Sequence, residues 1–184
     1  MISNIPYSDD SMTPILIFHQ LRDSNSKITC FRRPSLKSIP VLKEVYGLNA
    51  ILSCIVIQEK PQLIENVTKE IGINFFNIPF KKAKPKSLHK PETINMLVEE
   101  IIKVYNILIS QQMTILIHCA AGVRRTGIVV YCLLRLNGET KESALEIILK
   151  LREETRNGIG DYRIEYAEQT IVPLLFSEKK KKIV

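Results

Sequence analysis

Apolar residues along this chain repeat with two periods. Short runs rich in β-branched residues occur at 28–31, 49–57, 73–78 and 113–117, and between them lie stretches whose apolar positions recur every three or four residues. The runs predict strands. A further short strand is expected at 14–18, separated from the one at 28–31 by the turn-forming Asp23-Ser24-Asn25-Ser26. The helical spacing predicts helices over 36–46 and 61–71, and a long one opening at Pro91 with Ile94, Leu97, Val98, Ile101, Val104, Tyr105 and Leu108 on one face. Another is expected over 128–136, another from an N-cap at Thr140 through Ala144, Ile147, Ile148 and Leu151, and a last one over 162–176 despite Pro173. Gly47, Gly72 and Gly138 punctuate the ends, and Asn157-Gly158-Ile159-Gly160 is expected to break the chain between the last two helices. Strand alternating with helix predicts a single α/β domain with a central, mostly parallel β-sheet flanked by α-helices. Residues 49–57 are the expected central strand, and the ligand site should lie at the carboxyl ends of the strands. The expected organisation is a flexible arm over 1–13, one domain over 14–176 and a basic tail over 177–184.

One junction carries chemistry. Leu116-Ile117-His118-Cys119-Ala120-Ala121-Gly122-Val123-Arg124-Arg125-Thr126-Gly127 runs from a predicted strand into a predicted helix. A tight turn there aims successive backbone N–H groups into one concavity, and the following helix adds its positive end, so Ala120, Ala121, Gly122, Val123, Arg124 and Arg125 are the expected phosphate-binding residues. Cys119 at the lip of such a site meets conditions that favour the thiolate, the nucleophilic form. Arg125 can offer two parallel N–H groups to a tetrahedral oxyanion. Thiolate, amide cradle and guanidinium together suit covalent phosphoryl transfer.

The pattern His118-Cys119-x-x-Gly122-x-x-Arg125-Thr126-Gly127 resembles the signature loop of the cysteine-dependent protein tyrosine phosphatases, in the compact dual-specificity branch. The resemblance implies Cys119 as nucleophile forming a phosphocysteine, Arg125 as phosphate clamp, Thr126 as a hydroxyl assisting departure of the thiolate, and His118 as a residue tuning the thiol. It implies no metal and no cofactor.

Charge and composition narrow the setting. At 184 residues the chain is long enough for one core, and no window approaches the roughly 18 uninterrupted apolar residues of a membrane span. The expected location is cytoplasmic or nuclear, in soluble form. Cys30, Cys54, Cys119 and Cys132 show no metal-ligand spacing and no disulfide framework. The net charge of +7 favours a phosphorylated protein or other anionic phosphate compound as partner, with weak attraction to anionic membranes or nucleic acid through Lys179-Lys180-Lys181-Lys182. Lys81, Lys82, Lys84, Lys86 and Lys90 cluster in one internal loop, and Lys81, Lys82 and Lys84 are candidate substrate contacts.

In the resembling family that loop supplies an aspartate as proton donor, and here it reads Ile78-Pro79-Phe80-Lys81-Lys82-Ala83-Lys84-Pro85. No carboxylate occurs between Glu70 and Glu92. Three explanations stay open. The donor comes from elsewhere, with Asp23, Asp161, Glu165, Glu92 and His89 as candidates. Or the leaving group needs no proton, as for aryl phosphates and phosphoanhydrides, the latter including inositol pyrophosphates and RNA 5′-triphosphates. Or the chain is a weakly active phosphate-binding module whose basic surface docks it on a phosphoinositide membrane or a phosphorylated partner; the charge of the lysine loop equally fits phosphoinositides as a polyanionic substrate.

Overall fold

The computed structural model describes residues 13–81, 83 and 88–181. Five strands form one sheet: β1 His19–Gln20, β2 Lys27–Arg32, β3 Ala50–Ser53, β4 Asn74–Asn77 and β5 Thr114–Cys119, in the order β1-β2-β5-β3-β4. The β1/β2 pair is antiparallel and the rest are parallel. The helices are α1 Ser38–Tyr46, α2 Gln62–Glu70, α3 Pro91–Ser110, α4 Arg124–Leu136, α5 Lys141–Leu151, α6 Glu153–Ile159, α7 Asp161–Tyr166 and α8 Val172–Lys181.

Both faces of the sheet are covered, as a parallel sheet requires. Alternation along the inner strands decides which way each side chain goes. Ile115 and Ile117 of β5, with Ala50 and Leu52 of β3, pack on the side of α3, α4, α5 and α8, whereas Leu116 and Ile51 pack against Ile39 and Leu42 of α1 and Ile64 of α2. Helix α4 is buried along nearly its whole length, from Thr126 to Leu134. That explains its continuous apolar sequence: it sits between the sheet and the outer helices. The carboxyl ends of β2, β5 and β3 lie side by side, with Arg32 opposite Cys119 and Ser53 opposite His118.

Several sequence expectations change. The central strand is β5, not 49–57, because β5 pairs with β2 on one side and β3 on the other. The chain leaves the sheet after Ser53 and turns through a short 3-10 segment, Ile57–Glu59. Residues 14–18 are not a strand. Their alternation is real, with Leu16 buried and Ile15 exposed. The segment is held by the Tyr46 hydroxyl, however, which donates to the Pro14 carbonyl at 2.8 Å and accepts from the Leu16 amide at 3.2 Å. The break expected over 157–160 falls at Gly160 (φ +81°) and is joined by a second at Arg152, in extended backbone (φ −166°), while Asn157 and Gly158 are helical. Gly158 is there for close approach: a Cβ would sit 2.4 Å from Val123 Cγ1.

The last predicted helix is continuous from Asp161 to Lys181 apart from one wide π turn, Ala167–Ile171. Pro173 has no N–H to give the preceding turn and its ring crowds it, so the wider turn accommodates the proline without ending the helix. Helix α8 carries on past 176, so residues 177–181 of the basic segment are helical. Lys179 donates to the Leu136 carbonyl at 2.8 Å and the Tyr105 hydroxyl at 3.0 Å, which docks the helix end. Among the described residues no helix is long and apolar enough to cross a membrane.

Ile117 is fully buried in the central strand. Ile117→Ala is expected to lower unfolding stability by about 3 kcal/mol, as for other buried isoleucine truncations. Urea unfolding with an unchanged slope measures this, and a change under about 0.5 kcal/mol would contradict the packing described.

Candidate active site

The turn from β5 into α4 is shaped by what its carbonyls do. Ala120 accepts from the Arg33 amide at 3.1 Å, and Val123 from the Gly127 amide at 2.8 Å. The Arg152 guanidinium donates to both the Ala121 and Gly122 carbonyls at 2.9 Å, and the Thr155 hydroxyl adds a second bond to Gly122 at 2.7 Å. With all four carbonyls engaged outside, the loop turns amides toward Cys119, which is the arrangement of an anion site. Gly122 sits at φ +68°, and a Cβ there would lie 2.1 Å from the Phe31 carbonyl oxygen. Only glycine fits the left-handed turn against β2.

Cys119 is 4% exposed at the floor of a cleft of ≈ 770 Å³ whose lining includes Glu59, Lys81, Ala83, Arg124 and Arg125. Burial acts to raise its pKa. The Thr126 hydroxyl, the Thr126 and Val123 amides and the Arg125 charge act the other way and prevail, so the thiol lies below the ordinary cysteine range. The other cysteines go the opposite way: burial pushes Cys30 up to about 11 and raises Cys54 and Cys132 as well. The buried Thr126 hydroxyl meets full hydrogen-bond geometry with no described atom, while standing close enough to Cys119 to lower its thiol.

His118 is buried beneath the loop. Its Nδ1 lies 3.1 Å from the Cys119 carbonyl and its Nε2 lies 2.6 Å from the Ser53 hydroxyl. A carbonyl only accepts, so Nδ1 carries the proton and the Ser53 hydroxyl donates to Nε2. Burial is the main cause that brings His118 down to about 4, so at neutral pH the ring is uncharged. It meets Cys119 through the backbone carbonyl and not as a neighbouring cation.

Arg125 is fixed by a partner that sequence reasoning missed. Its NH1 and NH2 donate to the two carboxylate oxygens of Glu59 at 2.5 and 2.7 Å, and NH1 also donates to the Phe80 carbonyl at 3.0 Å. A guanidinium has five N–H donors. Glu59 and Phe80 take three of them, and the guanidinium also stands within hydrogen-bonding reach of the Cys119 thiol. The Arg125 hydrogen bond holds the Glu59 carboxyl below the usual range, so Glu59 is ionised at neutral pH. No sequence pattern marked Glu59, Arg33, Arg152 or Thr155, because they reach the loop from three distant segments, Arg152 and Thr155 sharing one.

Arg124 and Lys81 both line the cleft, whereas Lys82 and Lys84 lie outside the described residues. The loop bearing Lys81 is anchored by the buried Arg163 guanidinium, which donates to the Ala83 carbonyl at 2.5 Å and the Ile159 carbonyl at 2.7 Å. None of the candidate proton donors lines the cleft. Asp23 accepts from Tyr105, Glu165 pairs with Lys141, Asp161 lies 3.9 Å from Arg156, His89 packs on Tyr166 and Glu92 is exposed in the first turn of α3. Among the described residues, Glu59 is the carboxylate of the cleft.

An α/β fold with a cysteine seated in an amide-lined turn between central strand and buried helix defines the class of cysteine-dependent phosphatases. Residues 28–153 match the tyrosine phosphatase family, and the chain belongs to that family. Its fold is shared with the catalytic core of Siw14, at 19% identity and TM-score 0.63 over 90% of each chain. The same core, from the PP-IP phosphatase of S. cerevisiae, is also known in complex with citrate. PTPMT1 is similar at 16% identity and TM-score 0.61, covering 89% of this chain and 99% of that one, and has been solved with PI(5)P. Kinase associated phosphatase is similar at 18% identity and TM-score 0.59, over 86% of this chain and 98% of that one. No curated protein matches the chain in sequence.

The contrast among the four thiols is directly measurable. Iodoacetamide at about pH 6.5, well below the ordinary cysteine pKa, should alkylate Cys119 and leave Cys30, Cys54 and Cys132 unmodified, as read by peptide mass spectrometry. Preferential labelling of any of the other three would contradict the environment described.

Proposed function

We propose that the chain hydrolyses phosphate compounds through a phosphocysteine at Cys119. The observation that carries this reading is the lowered Cys119 thiol beside a fixed Arg125 in an amide-lined turn. The thiolate attacks phosphorus in line, the S–P bond forms and the bond from phosphorus to the leaving oxygen breaks. The loop amides and the Arg125 N–H groups not held by Glu59 and Phe80 bind the phosphoryl oxygens as charge develops on them. Water then attacks the phosphocysteine, the P–S bond breaks, inorganic phosphate leaves and the Thr126 hydroxyl stabilises the departing thiolate. The water's proton passes to solvent. A free thiolate nucleophile works in a reducing compartment, the cytoplasm or nucleus.

Cys119→Ser is expected to abolish hydrolysis of an aryl phosphate while tungstate still binds, measured by product release and by calorimetry. Wild-type turnover in that variant would end the reading. The sign of the pH dependence follows from the lowered thiol: the rate falls as acid protonates Cys119, at a pH below that of an ordinary cysteine.

The substrate class follows from the proton inventory. Glu59 is ionised and committed to Arg125, and no other described acid lines the cleft. The site therefore favours leaving groups that depart without a proton, aryl phosphates of the protein tyrosine type and phosphoanhydrides, over alkyl phosphates of serine and threonine. Arg124 and Lys81 at the rim favour polyanionic forms of these, such as inositol pyrophosphates or RNA 5′-triphosphates, a reading in keeping with the PP-IP phosphatase among the structural neighbours. Phosphotyrosine or anhydride substrates should exceed phosphothreonine peptides in kcat/KM by about a hundredfold, the usual worth of a general acid. Equal rates, or a basic limb in the pH profile on alkyl esters, would mean that a proton donor operates.

A further inference from the structure

Arg33, just beyond β2, touches the machinery from behind without lining the cleft. Its main-chain N–H donates to the Ala120 carbonyl of the signature loop at 3.1 Å. Its guanidinium spans two successive carbonyls, NH1 to Glu59 at 2.6 Å and NH2 to Lys60 at 3.1 Å. Those carbonyls belong to the short turn that presents the Glu59 carboxylate to Arg125.

The turn needs outside support. Lys60 is, among the described residues, the non-glycine residue at positive φ (55°), a conformation that persists where surroundings over-determine it. The turn satisfies its own amides: Glu59 N–H donates to Val56 at 2.8 Å, Lys60 N–H to Ile57 at 3.0 Å, and Val56 N–H to Glu59 Oε2 at 3.2 Å. Glu59 Oε2 thus serves both the turn and Arg125, so a shift of the turn moves the partner of the guanidinium. On the carbonyl side, the Glu59 oxygen accepts from Arg33.

We propose that Arg33 is a positioning residue of this phosphatase: by clamping the Glu59 and Lys60 carbonyls it fixes the turn that aims Glu59, and through Glu59 it sets the orientation of Arg125 toward the reacting phosphate. The proposal rests on the function given above for Cys119 and Arg125. A guanidinium suits the task because its planar fork meets two neighbouring carbonyls at once, whereas an ammonium is a single point donor. Oxyanion binding depends on such placement, since small displacements of a positioned group cost large factors in rate.

The test is a double-mutant cycle of Arg33→Ala and Glu59→Gln, with kcat and KM on an aryl phosphate, tungstate affinity and thermal midpoint measured for each protein. Each single variant should lower kcat by about tenfold and weaken tungstate binding. The double variant should stay within roughly threefold of the worse single, because both act through Arg125. Arg33→Lys, which keeps one of the two donor contacts, should fall between wild type and Arg33→Ala, and it replaces Arg33→Ala in the cycle if the latter does not fold. Multiplying losses near a hundredfold, or a lowered midpoint with kcat and tungstate affinity unchanged, would overturn the proposal. If wild type turns over no phosphate, the phosphatase reading fails by itself, and the tungstate cycle still decides the Arg33 coupling.

Discussion

A loop that binds an anion with its amides must send its carbonyls the other way, and buried carbonyls without donors are costly. Much of this structure can be understood as the answer to that requirement. The carbonyls of Ala120, Ala121, Gly122 and Val123 find donors on Arg33, Arg152, Thr155 and Gly127. The need places Arg152 in extended backbone between α5 and α6, so that one guanidinium reaches two loop carbonyls while also lying 5.3 Å over the Phe31 ring. It brings Gly122 against β2 and Gly158 against Val123, at distances that no side chain larger than hydrogen allows.

Within that frame, the site separates two effects of burial. All four cysteines are buried, and burial by itself raises a thiol. Cys119 alone among them combines burial with a hydroxyl, two amides and a guanidinium, and its shift changes sign. The same logic keeps His118 neutral: burial removes its charge, and its two ring nitrogens are spent on Ser53 and the Cys119 carbonyl. Arg125 and Glu59 form a partly buried pair whose value is orientation more than net energy, since desolvation offsets much of the attraction between such charges. Pairing also leaves the positive field of the cleft to the amides, Arg124 and Lys81.

The alternation of strand and helix, the bounds of the long helix at Pro91 and the Thr140 cap were legible because each rests on local chemistry. Misreadings came where a distant contact overrode a local signal. The apolar run at 49–57 looks like a central strand, but the sheet's middle belongs to β5, and pairing order is not a property of any one run. Asn157-Gly158 looks like a breaker, yet that glycine serves a helix packed on Val123. The lysine run after 176 looks like a solvated tail, yet Lys179 finds the Leu136 carbonyl and Tyr105.

The sequence by itself determined the family and the reactive group, because His118 to Gly127 is contiguous and its turn, nucleophile and guanidinium lie within one span of chain. It also disclosed that the usual acid is missing, since that is a matter of which residue occupies one loop. Only the tertiary structure decided what holds the loop open and what holds Arg125. Arg33, Glu59 and the pair Arg152 and Thr155 come from three separate stretches, and nothing in their local sequence marks them until β2, β3 and α6 converge at the carboxyl edge of the sheet.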